Sequence, residues 1–474
     1  MIRVRFAPSP TGYLHLGNIR TALFNYLFAK KNKGQFLLRI EDTDTERSKR
    51  EYEESQKEDL LWMGLRWDEG PDVGGPCGSY RQSERLEIYR EFVDDLIKKQ
   101  RAYYCYVTEE EVEEMKRVAR LEKKPPRFDN RGRNFSEPEI ERRKAKGIKP
   151  TIRFRIKEPE LILHDMIRGT VKFNLEDMVG DFVIVKADGM PTFHLAVCID
   201  DALMKVTHVI RGEDHLSNTP KHVMLTEAMG LMPPMYGHLP LVNGPGGEPL
   251  SKRMDSISVR HFRKQGYLPE ALANYIALLG WSAGDNREIF KFEELIESFD
   301  LARVGKSPAA YDPQKLNWVN GEHLRKLADQ DFARKSLAYL KEQKLLRIPE
   351  PLAVRTLPVF KDSIDKFEDL GDRLGFMAED FSYEEKGWLT REPSKNIFKR
   401  AILLLPDLAF DNPEVYQVFI DKLKPEVTVK GKDLFMPLRV ALTGREHGPE
   451  LKKLFPILGR DFITMRLKKA LEVV

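Results

Sequence analysis

The stretch His15-Leu16-Gly17-Asn18 is the first in the 474-residue sequence whose residue types could do chemistry. It follows a broken segment and opens a helix-like pattern. A helix starting there presents unpaired N–H groups and the positive end of its dipole to phosphate. His15 could donate to phosphate oxygens as charge shifts in a transition state, and Gly17 would let a flat base approach the backbone. Gly12 and Gly17 have the spacing of a phosphate-cradling loop, but Asn18 and Ile19 follow where that loop requires Lys and Ser or Thr, which argues against it. Alone, a His-x-Gly at a helix start is equally a capping histidine. A second stretch changes the balance. Leu250-Ser251-Lys252-Arg253 follows the Gly/Pro-rich run from Asn243 to Pro249. A lysine on such a loop can close over phosphate and neutralise charge on departing pyrophosphate. Alone this too is an ordinary surface turn; the pair of motifs is what points to nucleotide chemistry.

These residues need elements to hold them. Ile2, Val4 and Phe6 alternate with Arg3 and Arg5 in strand periodicity, and Ala7 to Gly12 breaks regular structure. Ile19, Leu23 and Leu27 recur at helical spacing from a start near Gly17. Gln35 to Ile40 reads as a second strand ending in Glu41-Asp42-Thr43-Asp44. That is a βαβ unit, the opening of a parallel sheet. From about Arg101 to Gly180, charged helical text such as Thr108 to Lys124 alternates with loops and short apolar strands. Phe182 to Val185 and Thr192 to Ile199 flank Asp188-Gly189, which predicts a hairpin and an inserted α+β module. Leu203 to Leu241 resumes strand–helix alternation. From about Gly266 helical periodicity dominates, with Ala271, Tyr275, Ile276 and Leu279 on one face.

Composition sets the outer limits. A hydrophobic share of 41% and a charged share of 32% describe a globular chain of several domains, and a net charge of +4 leaves any nucleic-acid contact to local basic faces. Cys77, Cys105 and Cys198 lie far apart without a C-x-x-C pair, so neither a disulfide framework nor a zinc site is expected. No apolar run is long enough for a membrane span, and Met1 to Phe6 lacks a signal-peptide core, so a cytoplasmic location is the expectation.

The longer strings carry a resemblance. Arg5-Phe6-Ala7-Pro8-Ser9-Pro10-Thr11-Gly12-Tyr13-Leu14-His15-Leu16-Gly17-Asn18 resembles the opening of the bacterial-type glutamyl-tRNA synthetases, a family within the class I aminoacyl-tRNA synthetases. Arg39 to Asp44, Tyr80 to Arg85, Val209 to His215, Gly266 to Ala271, Gly280 to Ser282 and Pro437 to Gly444 extend the likeness along essentially the whole chain. It implies a split Rossmann-like, doubly wound α/β catalytic domain with an α+β insertion, then an all-α anticodon-binding region. The corresponding boundaries are 1–100 and 187–247 for the catalytic halves and 101–186 for the acceptor-binding insertion. The mobile-loop and stem-contact segment is 248–322, and the anticodon-binding region is 323–474.

The resemblance also implies roles. Arg5 and Arg211 face the glutamate side-chain carboxylate; Ser9 and Glu41 hold its ammonium end; Ala7, Phe193 and Val197 line its pocket. Pro8, His15, Gly17, Asn18, Asp214, Val242, Ser251 and Lys252 serve ATP, with His15, Gly17, Lys252 and Arg253 at the chemistry. ATP with Mg2+ activates L-glutamate to an adenylate, and the terminal adenosine of tRNA takes it. Bound tRNA is expected to be required for efficient activation, and the enzyme is expected to be a monomer. Two departures stand out: Phe193 where a tyrosine is common, and Pro249 where the loop motif usually begins with lysine. In the helical half, Ser363 falls where some relatives carry an arginine that rejects tRNA-Gln, with Lys361 beside it. This leads to the expectation of weak discrimination between tRNA-Glu and tRNA-Gln, or preference for the latter. The rivals are a glutaminyl-tRNA synthetase, disfavoured by helical text after Glu322; a short paralogue without an anticodon region, disfavoured by length; and a non-catalytic tRNA binder, disfavoured by intact His15, Gly17, Arg211 and Lys252.

Overall fold

The computed structural model describes residues 1–123, 127–175, 180–248, 257–378, 381–383 and 386–473. It divides into two compact units: Met1–His261 with Leu272–Asp312, and Phe262–Ala271 with Pro313–Val474.

The first unit opens as β1 (Arg3–Phe6), α1 (Leu16–Lys31) and β2 (Gln35–Leu38). β1 and β2 pair in parallel, Arg3 opposite Gln35 and Phe6 opposite Leu38. The α1 sequence forms a helix for legible reasons. His15 caps its start, Lys30 and Lys31 complement the dipole at its end, and Leu16, Ile19, Ala22, Leu23, Phe24 and Leu27 are all buried. Each such Leu, Ile or Phe stabilises by about 1.5–3 kcal/mol relative to exposure. A second parallel pair, β8 (His208–Gly212) with β9 (Met235–Leu239), follows the same rule, with the helix Thr219–Ala228 between its strands. The Thr207 N–H donates to the Arg3 carbonyl at 2.9 Å, stitching the two pairs together where β1 and β8 begin.

Antiparallel strand pairs lie in the intervening text; elsewhere among the described residues antiparallel pairing is limited to isolated bridges such as Gly70 with Gly74 and Trp281 with Val304. β3 (Ala102–Cys105), β4 (Thr151–Phe154) and β7 (Phe182–Val185) form a sheet in that order, and β5 (Glu160–Asp165) pairs with β6 (Gly169–Asn174) as a hairpin. One expected strand is a helix. The turn at Asp188-Gly189 forms, with Gly189 at φ +87°, but the returning chain makes a single bridge from Pro191 to Val185. Thr192 then starts the helix Phe193–Leu203. The reason is burial: Leu195, Ala196, Val197, Cys198 and Ile199 are all enclosed, and a continuous apolar run of that length has no periodicity to separate helix from strand. The helical dominance expected after Gly266 also has an exception: β11 (Ala309–Ala310) pairs in parallel with β10 (Val242–Asn243). Residues 272–312 accordingly belong to the first unit, which divides the segment drawn from the sequence as 248–322.

In the second unit no strand occurs among the described residues. Helices Asp329–Glu342, Glu392–Leu404, Val415–Leu423, Lys432–Thr443 and Leu451–Val473 enclose one apolar core that includes Phe332, Leu340, Phe360, Phe398, Phe419 and Phe455. Among the described residues no helix is long and apolar enough to cross a membrane.

Candidate active site

Ligands of open parallel sheets bind beyond the carboxyl ends of the strands. Arg5 on β1, Arg39 and Glu41 just past β2, Arg211 on β8 and His238 on β9 all stand at that edge, and all are buried. The helix Phe193–Leu203 supplies the countercharge. Asp201 Oδ1 accepts from Arg5 Nε at 3.0 Å and from Arg39 Nη1 at 2.6 Å, while Arg39 Nη2 donates to Glu41 at 3.0 Å. Burial pushes the Asp201 carboxyl up, but Arg39 and Arg5 hold it net below its ordinary value. Glu41 shows the opposite balance: burial outweighs Arg39 and Arg5 and raises it. A buried carboxylate so placed gains from a further cation. Beside it, Asp200 is closed off by Arg85 at 2.7 Å, Tyr89 at 2.8 Å and Gln82 at 3.0 Å.

The two arginines expected to meet a carboxylate differ in their surroundings. Arg5 spends its Nε on Asp201, and its terminal nitrogens have no protein partner among the described residues. That leaves the planar fork for a bidentate anion. Arg211 has every nitrogen engaged, but only by neutral acceptors: His238 Nε2 at 3.2 Å, His222 Nδ1 at 3.2 Å, Thr219 Oγ1 at 2.8 Å and the His215 carbonyl at 3.3 Å. No carboxylate among the described residues pairs with it, and burial lowers its pKa. The histidines around it are held neutral by burial: His222 well below its ordinary value, His194 at about 3 and His215 at about 4. Phe193 lies against this cluster, its ring centroid 5.5 Å from those of His215 and His222, and Val197 is buried on the next turn of the same helix.

The nucleotide-facing candidates begin at α1. His15 does cap the helix: its Nδ1 accepts the Gly17 N–H at 3.2 Å, and the Asn18 side chain returns a bond to the His15 N–H. With Nδ1 accepting, a neutral ring carries its proton on Nε2. Capping and catalysis are therefore compatible uses of one imidazole. A side chain at 17 would stand 3.3 Å from that ring, so glycine keeps the histidine seated. Ala7 is half-buried, Pro8 buried and Ser9 exposed in the turn before it. Asp214 is exposed just past β8 and folds back over Gly212, where an added Cβ would meet its carboxylate; Val242 is buried on β10. Ser251, Lys252 and Arg253 lie outside the described residues. The chain beyond them, at Ser258 and Val259, is bound to the histidine segment: His15 and Ser258 form a bridge, and the Val259 N–H donates to the Leu14 carbonyl at 3.1 Å.

In the second unit, Lys361 Nζ donates to the Leu327 carbonyl at 3.1 Å and pairs with Asp329, and the Ser363 hydroxyl donates to the Phe360 carbonyl at 3.0 Å. Both lie in a 3₁₀ segment, Leu357–Ser363.

Sequence reasoning missed Asp165, Asp200, Asp201, His222 and His238. Only the acidic pair left a signal: two carboxylates closing an apolar run inside a helix are out of place unless paired.

Relatives of known sequence and structure match the whole chain. A family described as the catalytic domain of class I tRNA synthetases (E and Q) matches residues 1–318, and an anticodon binding domain matches residues 322–471. A glutamate–tRNA ligase of a Sulfurihydrogenibium species is 44% identical over 476 residues, covering 100% of this chain and 99% of its own. One from Carboxydothermus hydrogenoformans is 44% identical over 473 residues, with 97% of each chain covered. The crystal structure of a glutamate tRNA ligase from Elizabethkingia meningosepticum in complex with its amino acid superposes with a TM-score of 0.88 at 35% identity, over 99% of each chain. The chain belongs to the class I tRNA synthetases, in the group that serves glutamate and glutamine.

Proposed function

We propose that this chain activates L-glutamate with ATP and esterifies it to tRNA, the activity its full-length relatives are named for. The observation that carries the reading is Arg211, a buried guanidinium held by neutral acceptors with no carboxylate partner among the described residues. A desolvated cation left uncompensated favours an anionic ligand, and a side-chain carboxylate satisfies it where an amide does not. Arg5 offers its fork to the same group. Buried Glu41, with Ser9, meets the substrate's ammonium, and Ala7, Phe193 and Val197 wall its methylenes.

The reaction proceeds in two displacements. A glutamate α-carboxylate oxygen bonds the α-phosphorus of ATP, and the bond to pyrophosphate breaks. A hydroxyl of the terminal adenosine then bonds the activated carbonyl carbon, releasing AMP and a proton. His15, Gly17 and Asn18 at the α1 start, with Pro8, Asp214, Val242 and Ser251, position the nucleotide. Lys252 and Arg253 meet the charge that grows on the departing phosphates. Positioning and charge stabilisation suffice; no protein nucleophile is required. Among the described residues no group of three His, Cys, Asp or Glu side chains could hold a metal, and Mg2+, bound mainly through phosphates and water, would enter with ATP. The insertion at 101–186 takes the acceptor end, residues 248–322 the stem and 323–474 the anticodon.

Relaxed tRNA choice is the second part of the reading. Lys361 is tied to Asp329 and the Leu327 carbonyl, and Ser363 is tied to its own turn, so neither offers an arginine-like fork to a base. Charging of purified tRNA-Glu and tRNA-Gln tests both parts. Pyrophosphate exchange and charging on either tRNA support the enzyme, and comparable rates on the two support relaxed choice. No exchange with or without tRNA leaves a binding protein instead.

A further inference from the structure

Arg211 is the end of a buried line that starts outside the parallel strands. Asp165 closes β5 and opens the turn to β6, and its Oδ1 accepts three backbone N–H groups: Ile167 at 2.9 Å, Arg168 at 2.8 Å and His238 at 3.2 Å. Its Oδ2 lies 2.6 Å from His238 Nδ1. The turn is also locked to β9 next to that contact. The Met166 N–H donates to the Tyr236 carbonyl at 2.8 Å, and a side chain at Gly237 would stand 3.1 Å from the Met166 methyl. His238 Nε2 then meets Arg211 Nε at 3.2 Å.

The proton positions follow from donor and acceptor chemistry. Two groups meet His238 Nε2: Arg211 Nε at 3.2 Å, which only donates, and Thr219 Oγ1 at 3.0 Å, which can do either. Asp165 at Nδ1 only accepts, so the one proton of a neutral ring sits on Nδ1 and Nε2 accepts. His222 obeys the same logic in reverse. Its Nδ1 accepts from Arg211, so its Nε2 carries the proton and donates to His194 Nδ1 at 3.0 Å. An acid placed directly on Arg211 would orient it but also neutralise its attraction for a substrate anion. An imidazole orients it with an uncharged acceptor and puts the acid one ring further away.

We propose that Asp165 and His238 are positioning residues for Arg211: the carboxylate sets the imidazole tautomer, and the imidazole sets the guanidinium plane that receives the substrate's side-chain carboxylate. This rests on the reading that Arg211 takes that carboxylate, and it extends the glutamate pocket to a residue of the β5–β6 hairpin. The protein uses the Arg211 Nε–H, one Nη1–H and both Nη2–H groups, so fixing the plane aims the remaining Nη1–H and the charge in one direction.

Asp165→Asn is the discriminating variant. The amide oxygen still serves the three backbone N–H groups that hold Oδ1, so its NH2 faces His238. The ring must then accept at Nδ1 and carry its proton on Nε2, where Thr219 Oγ1 at 3.0 Å can take it but Arg211 Nε loses its acceptor, an inversion of tautomer without loss of shape. The KM for glutamate in aminoacylation is expected to rise about ten- to hundredfold, while the KM for ATP stays within about twofold. In a His238→Gln background, which has no tautomer to invert, Asp165→Asn should add less than about twofold. The proposal is overturned if Asp165→Asn leaves the glutamate KM unchanged while Arg211→Ala still abolishes glutamate use. It is overturned equally if both KM values rise in step with a fall in Tm, or if the effect persists undiminished with His238→Gln. If Arg211→Ala itself titrates glutamate like the parent, the reading of Arg211 fails and the proposal with it.

Discussion

Both units bury arginines that have no carboxylate partner among the described residues, Arg20, Arg153 and Arg211 in the α/β unit and Arg466 in the helical one, and Arg211 and Arg466 are put to different use. In the helical unit, Arg466 is 2% exposed, its guanidinium 3.6 Å from the Phe381 ring centre and 4.9 Å from that of Phe462, and it donates to the Phe376 carbonyl. Burial lowers it to about 10. Aromatic faces and a carbonyl occupy its surroundings, and of its buried nitrogens only Nε is left without an acceptor among the described residues. In the α/β unit, Arg211 stands where strand ends converge, beside the open fork of Arg5 and the buried carboxylate of Glu41. A buried unpaired arginine is therefore not a ligand signal by itself. It becomes one where the fold brings other unsatisfied charge to the same edge.

Substitution of the two arginines is the most direct way to break that comparison. Arg211→Ala is expected to lower kcat/KM for glutamate by about 10³-fold or more while leaving the KM for ATP within a few-fold, since truncation removes a desolvated charge made for the substrate. A parent-like glutamate titration would remove the distinction between the two arginines. Lys252→Ala sharpens it at a different step of the reaction. Adenylate formation in a single turnover should slow by about 10²–10³ with glutamate affinity little changed, because its charge is needed only as pyrophosphate departs. An unchanged single-turnover rate would reject that role. Arg466→Ala should do the reverse of Arg211→Ala. It should cost about 2–4 kcal/mol of stability, seen as a lower Tm, with glutamate and ATP KM values unchanged. A stable Arg466→Ala protein with impaired tRNA charging would make Arg466 functional after all.

Acid provides the gentlest separation. His194, His215 and His222 are held neutral in the folded α/β unit, whereas unfolded histidines titrate near about 6.5. Depressed folded pKa values mean that the stability is present above that value and is lost as pH falls below it. The loss is up to about 1.4 kcal/mol per pH unit for each of His194 and His222, and smaller for His215, whose side chain is 37% exposed and screened by solvent. In the helical unit His323 is the histidine so lowered among the described residues. Hydrogen exchange at pH 7 and pH 5 should show the α/β unit losing protection faster. Equal loss in the two units would count against the neutral histidine cluster.

The same contrast explains what could be read from sequence. The first βαβ unit was legible because Ile2, Val4 and Phe6 alternate while Ile19, Leu23 and Leu27 recur at helical spacing, and the structure places β1, α1 and β2 there. The helix Phe193–Leu203 was not, because a run enclosed on every side carries no period. β11 was invisible for another reason: two residues, Ala309 and Ala310, are too few to alternate. In the site, Arg5, Glu41 and Arg211 could be named from the strings they belong to. Asp165, His222 and His238 could not, since each is unremarkable in its own segment and acquires its chemistry only where three distant segments meet.

The lock between the β5–β6 turn and β9 bears on modularity. An inserted module joined by its two chain connections alone could be excised, exchanged or lengthened without disturbing its host. Here the turn at Asp165–Arg168 donates to β9, accepts from it and fills the space above Gly237, so the host sheet ends in a surface that the insertion completes. Grafting a foreign module across residues 101–186 would have to reproduce that turn before it reproduced anything that touches RNA. Evolutionary variation in the insertion should accordingly be free at its outer helices and frozen at one hairpin tip.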